Sequence, residues 1–492
     1  MTAVPNEHGR CGSPSLEYMF HPRVIAVAGL TSDPDKAWLN ECYITPMLEM
    51  GYKGQLYIIN PKGGQIGGLP AYPSLQDIPG PVDYVISCIP AQHTPHLLEQ
   101  CAGKGVRVVQ FYTAGFAETG EVEDMKLQER LLEIAGRSGM RLLGPNCMGI
   151  YCPESGLGFS RDFPKETGPI GLLCQSGGNS GYIVRSVAAR GLRFSKAVSY
   201  GNACDINECD LLEYMADDAE TKAVVAYIEG TTDGRRLLDS LAGATSTKPV
   251  VVLKGGCTEG GGRATASHTA ALAGVDPIWD GLLKQVGAVR VYSVEEMADV
   301  LVAMLRMRVP RGTNTCVVGM GGGANVLATD DCEQAGLRLL RMPPYIGDRV
   351  ARLIPRAGGM LRNPIDAFPL AMSPDGWRDL VAILDDWREL DLIIFHYAFG
   401  GPPLPACHET ITPALEPMLS AAKMCRLPAA VVLHSIPNND SWQASLKVQQ
   451  ICIETGLPFF ISMGGAALAI RRAIEFKSAN PGKIPGLESQ DH

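Results

Sequence analysis

Short runs rich in valine and isoleucine recur along the 492 residues, each ending in glycine, proline or small polar residues. An apolar run of about five residues bounded by turn signals reads as a strand, and the intervening stretches, such as "HTPHLLEQCAGKG", carry the helical period. Strands that alternate with helices in this way predict parallel sheets covered by helices on both faces. The first series is "VIAVAG" (24–29), "QLYIIN" (55–60), "YVISCI" (84–89), "VRVVQFY" (106–112) and "RLLG" (141–144). After a loop near Pro164 the second comprises "IGLLC" (170–174), "FSKAVSY" (194–200), "AVVAYIE" (223–229) and "PVVVLKGG" (249–256), closing in the helix "VEEMADVLVAMLRMRV". "PRGT" (310–313) reads as a linker, and the third series is "TCVVGM" (315–320), "LDLIIFHYA" (390–398), "PAAVVLHS" (428–435) and "PFFISM" (458–463). The expectation is an α/β chain of three doubly wound domains, 1–150, 151–309 and 310–492, with a frayed tail after Lys483.

Composition narrows the partners. A net charge of −9 argues against nucleic acid, so an anionic ligand must be held by local amide dipoles and a few lysines. The 15 cysteines contain no CxxC pair and no grouping with histidine at metal-ligand spacing, so no metal site is expected. The polar opening "MTAVPNEHGRCGSPSLEYM" carries no secretory signal. No apolar run reaches the roughly 18 residues of a membrane span. These features predict a cytoplasmic protein with free thiols and no membrane contact.

Several strand ends run into loops suited to ligands. "AVAGLTSDP" (26–34) is either a nucleotide-type loop or a plain tight turn, and it lacks full GxGxxG spacing. "INPK" (59–62) and "CIPA" (88–91) are two more strands entering proline turns. Lys62 there is a phosphate contact or a solvated surface lysine. In "LLGPNCMGIY" (142–151), Asn146 offers amide donors and an acceptor, whereas Cys147 has no base near it in sequence and reads as a small buried thiol. "LLCQSGGNSGYIVRSVAARG" (172–191) opens a helix at Ser176, Gly177, Gly178 and Asn179. Those glycines either expose unpaired amides to an anion or serve packing only. Glu229, ending the strand of "AYIEGTTD" (226–233), is a helix cap, a solvated group, or the partner of a histidine. "SYGNACD" (199–205) supplies a further glycine loop. His268, one of nine histidines, sits in "GGGRATASHTAALAG" (260–274), where small neighbours leave an imidazole accessible.

The ordered set "INPK", "AGFAE", "GPNCMGI", "QSGG", "DLLEYMADDAETKAVVAYIEG" and "ASHTAALAG" resembles the NDP-forming acyl-CoA synthetases, relatives of the succinyl-CoA synthetase α subunit, over about residues 20–475. The resemblance implies a CoA-binding Rossmann-like domain followed by two flavodoxin-like CoA-ligase domains. It implies that His268 is phosphorylated in turnover, that Glu229 orients it, and that Ser176 to Asn179 cradle its phosphate. The CoA-facing residues it implies are Gly29, Leu30, Thr31, Asn60, Pro61, Lys62, Ile89, Pro90, Thr113, Ala114, Gly115, Glu118 and Asn146. Activity would pass through an acyl phosphate, with coenzyme A as substrate. ATP or ADP and Mg would sit on an ATP-grasp β subunit, in an α2β2-type hetero-oligomer. Two features depart from the family: Trp38 stands where glycine is usual, and no ATP-grasp segment is evident. The loop "VVGMGGGANVLATDD" (317–331) resembles the ligase domain's helix start and serves either phosphate contact or packing. Competing classes are a CoA-binding or phosphohistidine-carrying regulator and an NAD-dependent dehydrogenase. The latter leaves "ASHTA" unexplained.

Overall fold

The computed structural model describes residues 16–33, 38–269, 274–354, 360–371, 373–398, 408–434 and 439–483. The chain divides into two compact units, Met1–Arg185 with Arg193–Arg290, and Ser186–Leu192 with Val291–His492.

The first unit begins with a seven-stranded sheet: β1 (Val24–Ala28), β2 (Gln55–Ile59), β3 (Gly64–Ile66), β4 (Leu69–Tyr72), β5 (Tyr84–Ser87), β6 (Val108–Phe111) and β7 (Arg141–Leu143). Their spatial order is β3-β4-β2-β1-β5-β6-β7. All neighbours are parallel except β3 and β4, an antiparallel hairpin that the apolar pattern does not announce. Its two-residue turn is Gly67-Gly68, with φ of 58° and 79°, the left-handed conformation that twist-matched hairpin turns demand.

A second sheet holds β8 (Gly149–Tyr151), β9 (Ile170–Cys174), β10 (Phe194–Ser199), β11 (Ala223–Ile228), β12 (Val250–Lys254) and β13 (Val289–Val291), in the order β13-β12-β11-β9-β10-β8. Every residue of β9 is buried, as expected of a central parallel strand. Ile170, Leu172 and Leu173 each contribute about 1.5–3 kcal/mol of burial energy, an upper range. The edge strand β8 runs antiparallel to β10.

The second unit carries β14 (Asn314–Gly319), β15 (Arg338–Leu339), β16 (Ile365–Asp366), β17 (Leu392–Ala398), β18 (Ala429–His434) and β19 (Phe459–Phe460), in the order β15-β14-β17-β18-β19 with β16 also on β14. Its core gathers Trp377, Trp387 and Phe395 with aliphatic side chains of these strands. The helix Val294–Leu305 packs along the helix Met463–Ala479 within this unit.

In each sheet the chain leaves two neighbouring central strands in opposite directions, which opens a crevice at their carboxyl ends. These pairs are β1 and β5, β9 and β11, and β14 and β17. The motifs that follow β1, β2, β5, β6, β9, β10, β11 and β14 fall at or beside such an end, and the "ASHTAALAG" segment lies partly outside the described residues. Among the described residues, no helix is long and apolar enough to cross a membrane. The thirteen described cysteines are all free.

Candidate active site

At the first crevice, Gly29 follows β1 with φ of 96°. A Cβ there would stand 2.7 Å from the Cys88 carbonyl carbon and 3.0 Å from the Ile89 amide nitrogen, so only glycine lets these two loops meet. Asn60 braces the neighbouring turn: its side-chain amide donates to the Leu30 carbonyl (2.8 Å) and its oxygen accepts from the Lys62 amide (2.9 Å). Thr31 accepts from Asn40 through its carbonyl. Pro61 and Lys62 lie exposed at the tip of this turn. Across the crevice the Thr113 hydroxyl donates to the Ile89 carbonyl (2.7 Å). The Glu118 carboxylate accepts from the amides of Gly115 (2.6 Å) and Phe116 (3.1 Å) and from Asn202 (2.6 Å), so it shapes its own loop.

Asn146 adopts φ of 58°, and its amide donates to the Thr113 carbonyl (3.1 Å). The loop after β10 clasps this turn, with the Asn202 amide on the Pro145 carbonyl and the Cys204 amide on the Gly144 carbonyl (both 3.0 Å). Cys147 is buried and its thiol faces the carbonyls of Phe111 and Leu143. Burial pushes that thiol well above its ordinary range, so it stays protonated, as a structural cysteine does.

A cavity of about 550 Å³ lies between the loops that follow β5, β6 and β7 and the start of the helix after β9. Of the residues singled out in the sequence, Pro90, Thr113, Ala114, Asn146, Cys147, Ser176, Gly177 and Gly178 line it. The Gly29–Thr31 and Asn60–Lys62 loops are not part of its wall. Tyr112 is, and the half-exposed Trp38 packs edge-on against it at 5.9 Å between ring centres. The volume suits a small-molecule site.

The helix Gly177–Ala188 starts at this cavity. The Ser176 hydroxyl accepts from the Asn179 amide (3.3 Å). The two glycines differ. A Cβ on Gly177 would touch Met148 at 3.0 Å, a packing requirement. One on Gly178 would meet nothing within 4 Å. Packing therefore accounts for Gly177 and not for Gly178, which stands at a helix start whose first amides have no intrahelical partner. Gly178→Ala should melt at the same temperature or slightly higher, by up to about 1 kcal/mol of helix propensity, yet lose affinity for inorganic phosphate. Calorimetric titration beside a melting curve checks both halves.

Glu229 leaves the neighbouring strand end and is 5 % exposed, so it is not a solvated group. Nor is it a cap: the helix Gly234–Thr247 is capped by Asp233, whose carboxylate accepts from the Arg236 amide at 2.9 Å. Its backbone is held on two sides. The Gln175 side-chain oxygen accepts from the amides of Glu229 (2.7 Å) and Gly230 (3.1 Å), and the Lys254 ammonium donates to the Glu229 carbonyl (2.8 Å). The Tyr227 hydroxyl donates to the Glu229 carboxylate (3.3 Å) and also hydrogen-bonds to Asn179. Burial first and the Glu229 charge second hold this phenol above its ordinary range, keeping it a donor. Gly255 leaves room for the pair, since a Cβ there would lie 2.6 Å from the Tyr227 hydroxyl. Gln175, Tyr227 and Lys254 were not singled out in the sequence; the visible signal was a polar residue closing an otherwise apolar strand.

His268 lies on the helix Glu259–Thr269, and its side chain lies outside the described residues, as does the segment 270–273 after it. In the second unit, the Gly321 amide of the glycine-rich loop is taken by the Asp366 carboxylate (3.0 Å), and Asn325 meets the buried His396 at 2.6 Å. A Cβ on Gly319 would clash with that pair, so packing accounts for this glycine. Among the described residues, no group of three or more His, Cys, Asp or Glu side chains is placed to hold a metal ion.

Parallel sheets that bring a Rossmann-type crevice and an anion-ready helix start to one cavity suit enzymes joining an extended nucleotide-tailed ligand to phosphoryl chemistry. Comparison with known proteins agrees. Residues 23–153 match the CoA binding domain family, and residues 167–304 match the succinyl-CoA ligase like flavodoxin domain. The chain is 35% identical over 373 residues to the acetate–CoA ligase [ADP-forming] I subunit alpha of Pyrococcus furiosus, covering 73% of this chain and 77% of that protein. It is 34% identical over 350 residues to the 4-hydroxybutyrate–CoA ligase [ADP-forming] of Nitrosopumilus maritimus, covering 70% of this chain and 49% of that protein. The fold matches the dinucleotide forming acetyl-coenzyme A synthetase 1 of Ca. Korarchaeum cryptofilum, solved with phosphate and ADP, with a TM-score of 0.78 and 27% identity over 95% of this chain and 97% of that one. The chain belongs to the ADP-forming acyl-CoA ligases, a family of acid–thiol ligases.

Proposed function

We propose that this chain is the α subunit of a two-subunit ligase that interconverts carboxylic acid, CoA and nucleoside triphosphate with acyl-CoA, nucleoside diphosphate and phosphate. The observation that carries this reading is the single cavity walled by both Pro90, Thr113 and Asn146 and the Ser176–Gly178 helix start. A thiol delivered along the first wall meets a phosphoryl group held at the second. CoA lies along the loops of Gly29, Asn60, Lys62, Ile89 and Glu118, with its thiol toward Asn146. An acyl phosphate bound here has its carbonyl carbon attacked by the CoA thiolate. The carbon–oxygen bond to phosphate breaks, and phosphate leaves toward the helix amides, which stabilise its charge. The acyl phosphate forms when a carboxylate oxygen takes the phosphoryl group from the His268 ring nitrogen, leaving a neutral imidazole. Glu229 holds that ring by accepting its other N–H.

The nucleotide charges His268 from an ATP-grasp β subunit, with Mg bound there, in a cytoplasmic α2β2-type assembly. The naming of relatives as alpha subunits supports the partner. The three-domain division at 1–150, 151–309 and 310–492 is proposed with it, supported by one sheet to each.

Thioester formation from ATP, CoA and acetate as the probe acid tests the reading. The chain alone should show background turnover, and adding the β subunit should bring it into the ordinary enzymatic range of roughly 1–10³ s⁻¹. ATP-dependent thioester formation by the chain alone would overturn the two-subunit assignment.

A further inference from the structure

Lys254 closes β12, is 4 % exposed, and has no carboxylate oxygen within 4 Å among the described residues. Its ammonium donates to two backbone carbonyls, those of Glu229 and Gly255, and lies 5.2 Å from the centre of the Trp279 ring. A buried cation without an ion partner is costly, and a neutral donor would satisfy the Glu229 carbonyl without that cost. The neighbouring buried guanidinium is already committed, since Arg290 pairs with Asp276 and Asp280. Burial lowers the Lys254 ammonium from its ordinary value, and Cys257, Glu229 and Asp276 oppose that fall.

Its position explains the cost. β12, β11 and β9 are adjacent, with Lys254 in register with Ile228 and Tyr227 with Cys174. The Lys254, Glu229 and Ser176 strand ends therefore form one row, spanning about 10 Å at the usual strand spacing. Under the proposed function, that row receives a phosphoryl group beside the buried Glu229 carboxylate. Two anions at one crevice repel strongly where water is excluded.

We propose that Lys254 is a positioning residue whose charge, held on the Glu229 backbone, lets the Glu229 carboxylate and a phosphoryl group occupy the same strand-end crevice. The inference rests on the phosphoryl reading of the site and extends it to a residue beyond the cavity wall.

The test compares wild type, Lys254→Met, Lys254→Gln and the double variant Lys254→Met/Glu229→Gln. Melting is measured with and without inorganic phosphate, and acid-labile phosphate incorporation is measured with the β subunit and ATP. Without phosphate, Lys254→Gln, whose amide can still donate to the Glu229 carbonyl, should melt near the wild-type temperature, and Lys254→Met, which leaves two carbonyls without their donor, somewhat below it. Phosphate should raise the wild-type melting temperature by several degrees and that of Lys254→Met by little. Incorporation should slow about 100-fold, the scale of one lost electrostatic donor. The double variant should regain the phosphate-dependent shift, because removing the second anion removes the need for the cation. A structural lysine would behave otherwise: both single variants would melt early or fail to fold, or keep the full phosphate shift, and either result overturns the proposal. Failure of the double variant to recover the shift overturns it too. A wild-type chain that takes up neither phosphate nor label instead overturns the proposed function itself, a distinguishable outcome.

Discussion

Incorporation of acid-labile phosphate should fall to background in His268→Ala, at least about 10⁴-fold below wild type, when the β subunit and ATP are supplied. The same label should persist in His96→Ala, whose exposed imidazole hydrogen-bonds to Gln100. The size of the effect follows from covalent catalysis. Without the nitrogen that bonds to phosphorus there is no carrier, and helix amides at Ser176–Gly178 can hold an anion but cannot transfer it. Residual binding of phosphate in His268→Ala, read by calorimetry, should therefore stay near the wild-type value. Label surviving in His268→Ala would place the carrier elsewhere.

Glu229→Gln should slow the same incorporation about 100-fold and leave the melting temperature nearly unchanged. The expected stability follows from how the strand end is held. Gln175 and Lys254 bind the backbone of Glu229, and the next helix is capped by Asp233, so none of these bonds uses the carboxylate. Glutamine keeps the shape and still accepts from Tyr227. It lacks the charge that offsets the positive ring formed as the phosphoryl group arrives, and that difference is what the rate reports. A rapid-quench time course run beside a melting curve separates the two quantities. Near-wild-type incorporation in a well-folded Glu229→Gln protein would remove this carboxylate from the mechanism.

How much of this was legible beforehand differs from element to element. The central strands were, because buried parallel strands require uninterrupted apolar runs and few other structures do. The β3–β4 hairpin was not: its strands are three and four residues long, and its signal is the glycine pair 67–68 inside a stretch that otherwise reads as loop. The helix Glu259–Thr269 runs against local preference, since Gly260, Gly261 and Gly262 disfavour a helix. The edge strand β8 lies within the motif "GPNCMGIY", whose turn residues mask its pairing with β10.

The sequence alone determined the α/β class, the alternation that builds three sheets, and the order of motifs at their strand ends. These are local or periodic properties, written within a few residues of one another. The tertiary structure decided the surroundings of the site. Gln175 reaches Glu229 across 54 residues of chain, and Lys254 reaches it across 25, because the crossing helices return β9, β11 and β12 side by side. Whether Glu229 is a cap, a solvated group or a held carboxylate depends on that adjacency, as does the lone cation of Lys254. A buried polar side chain takes its meaning from the partner that satisfies it, and here that partner lies on the next strand of the sheet, distant in sequence.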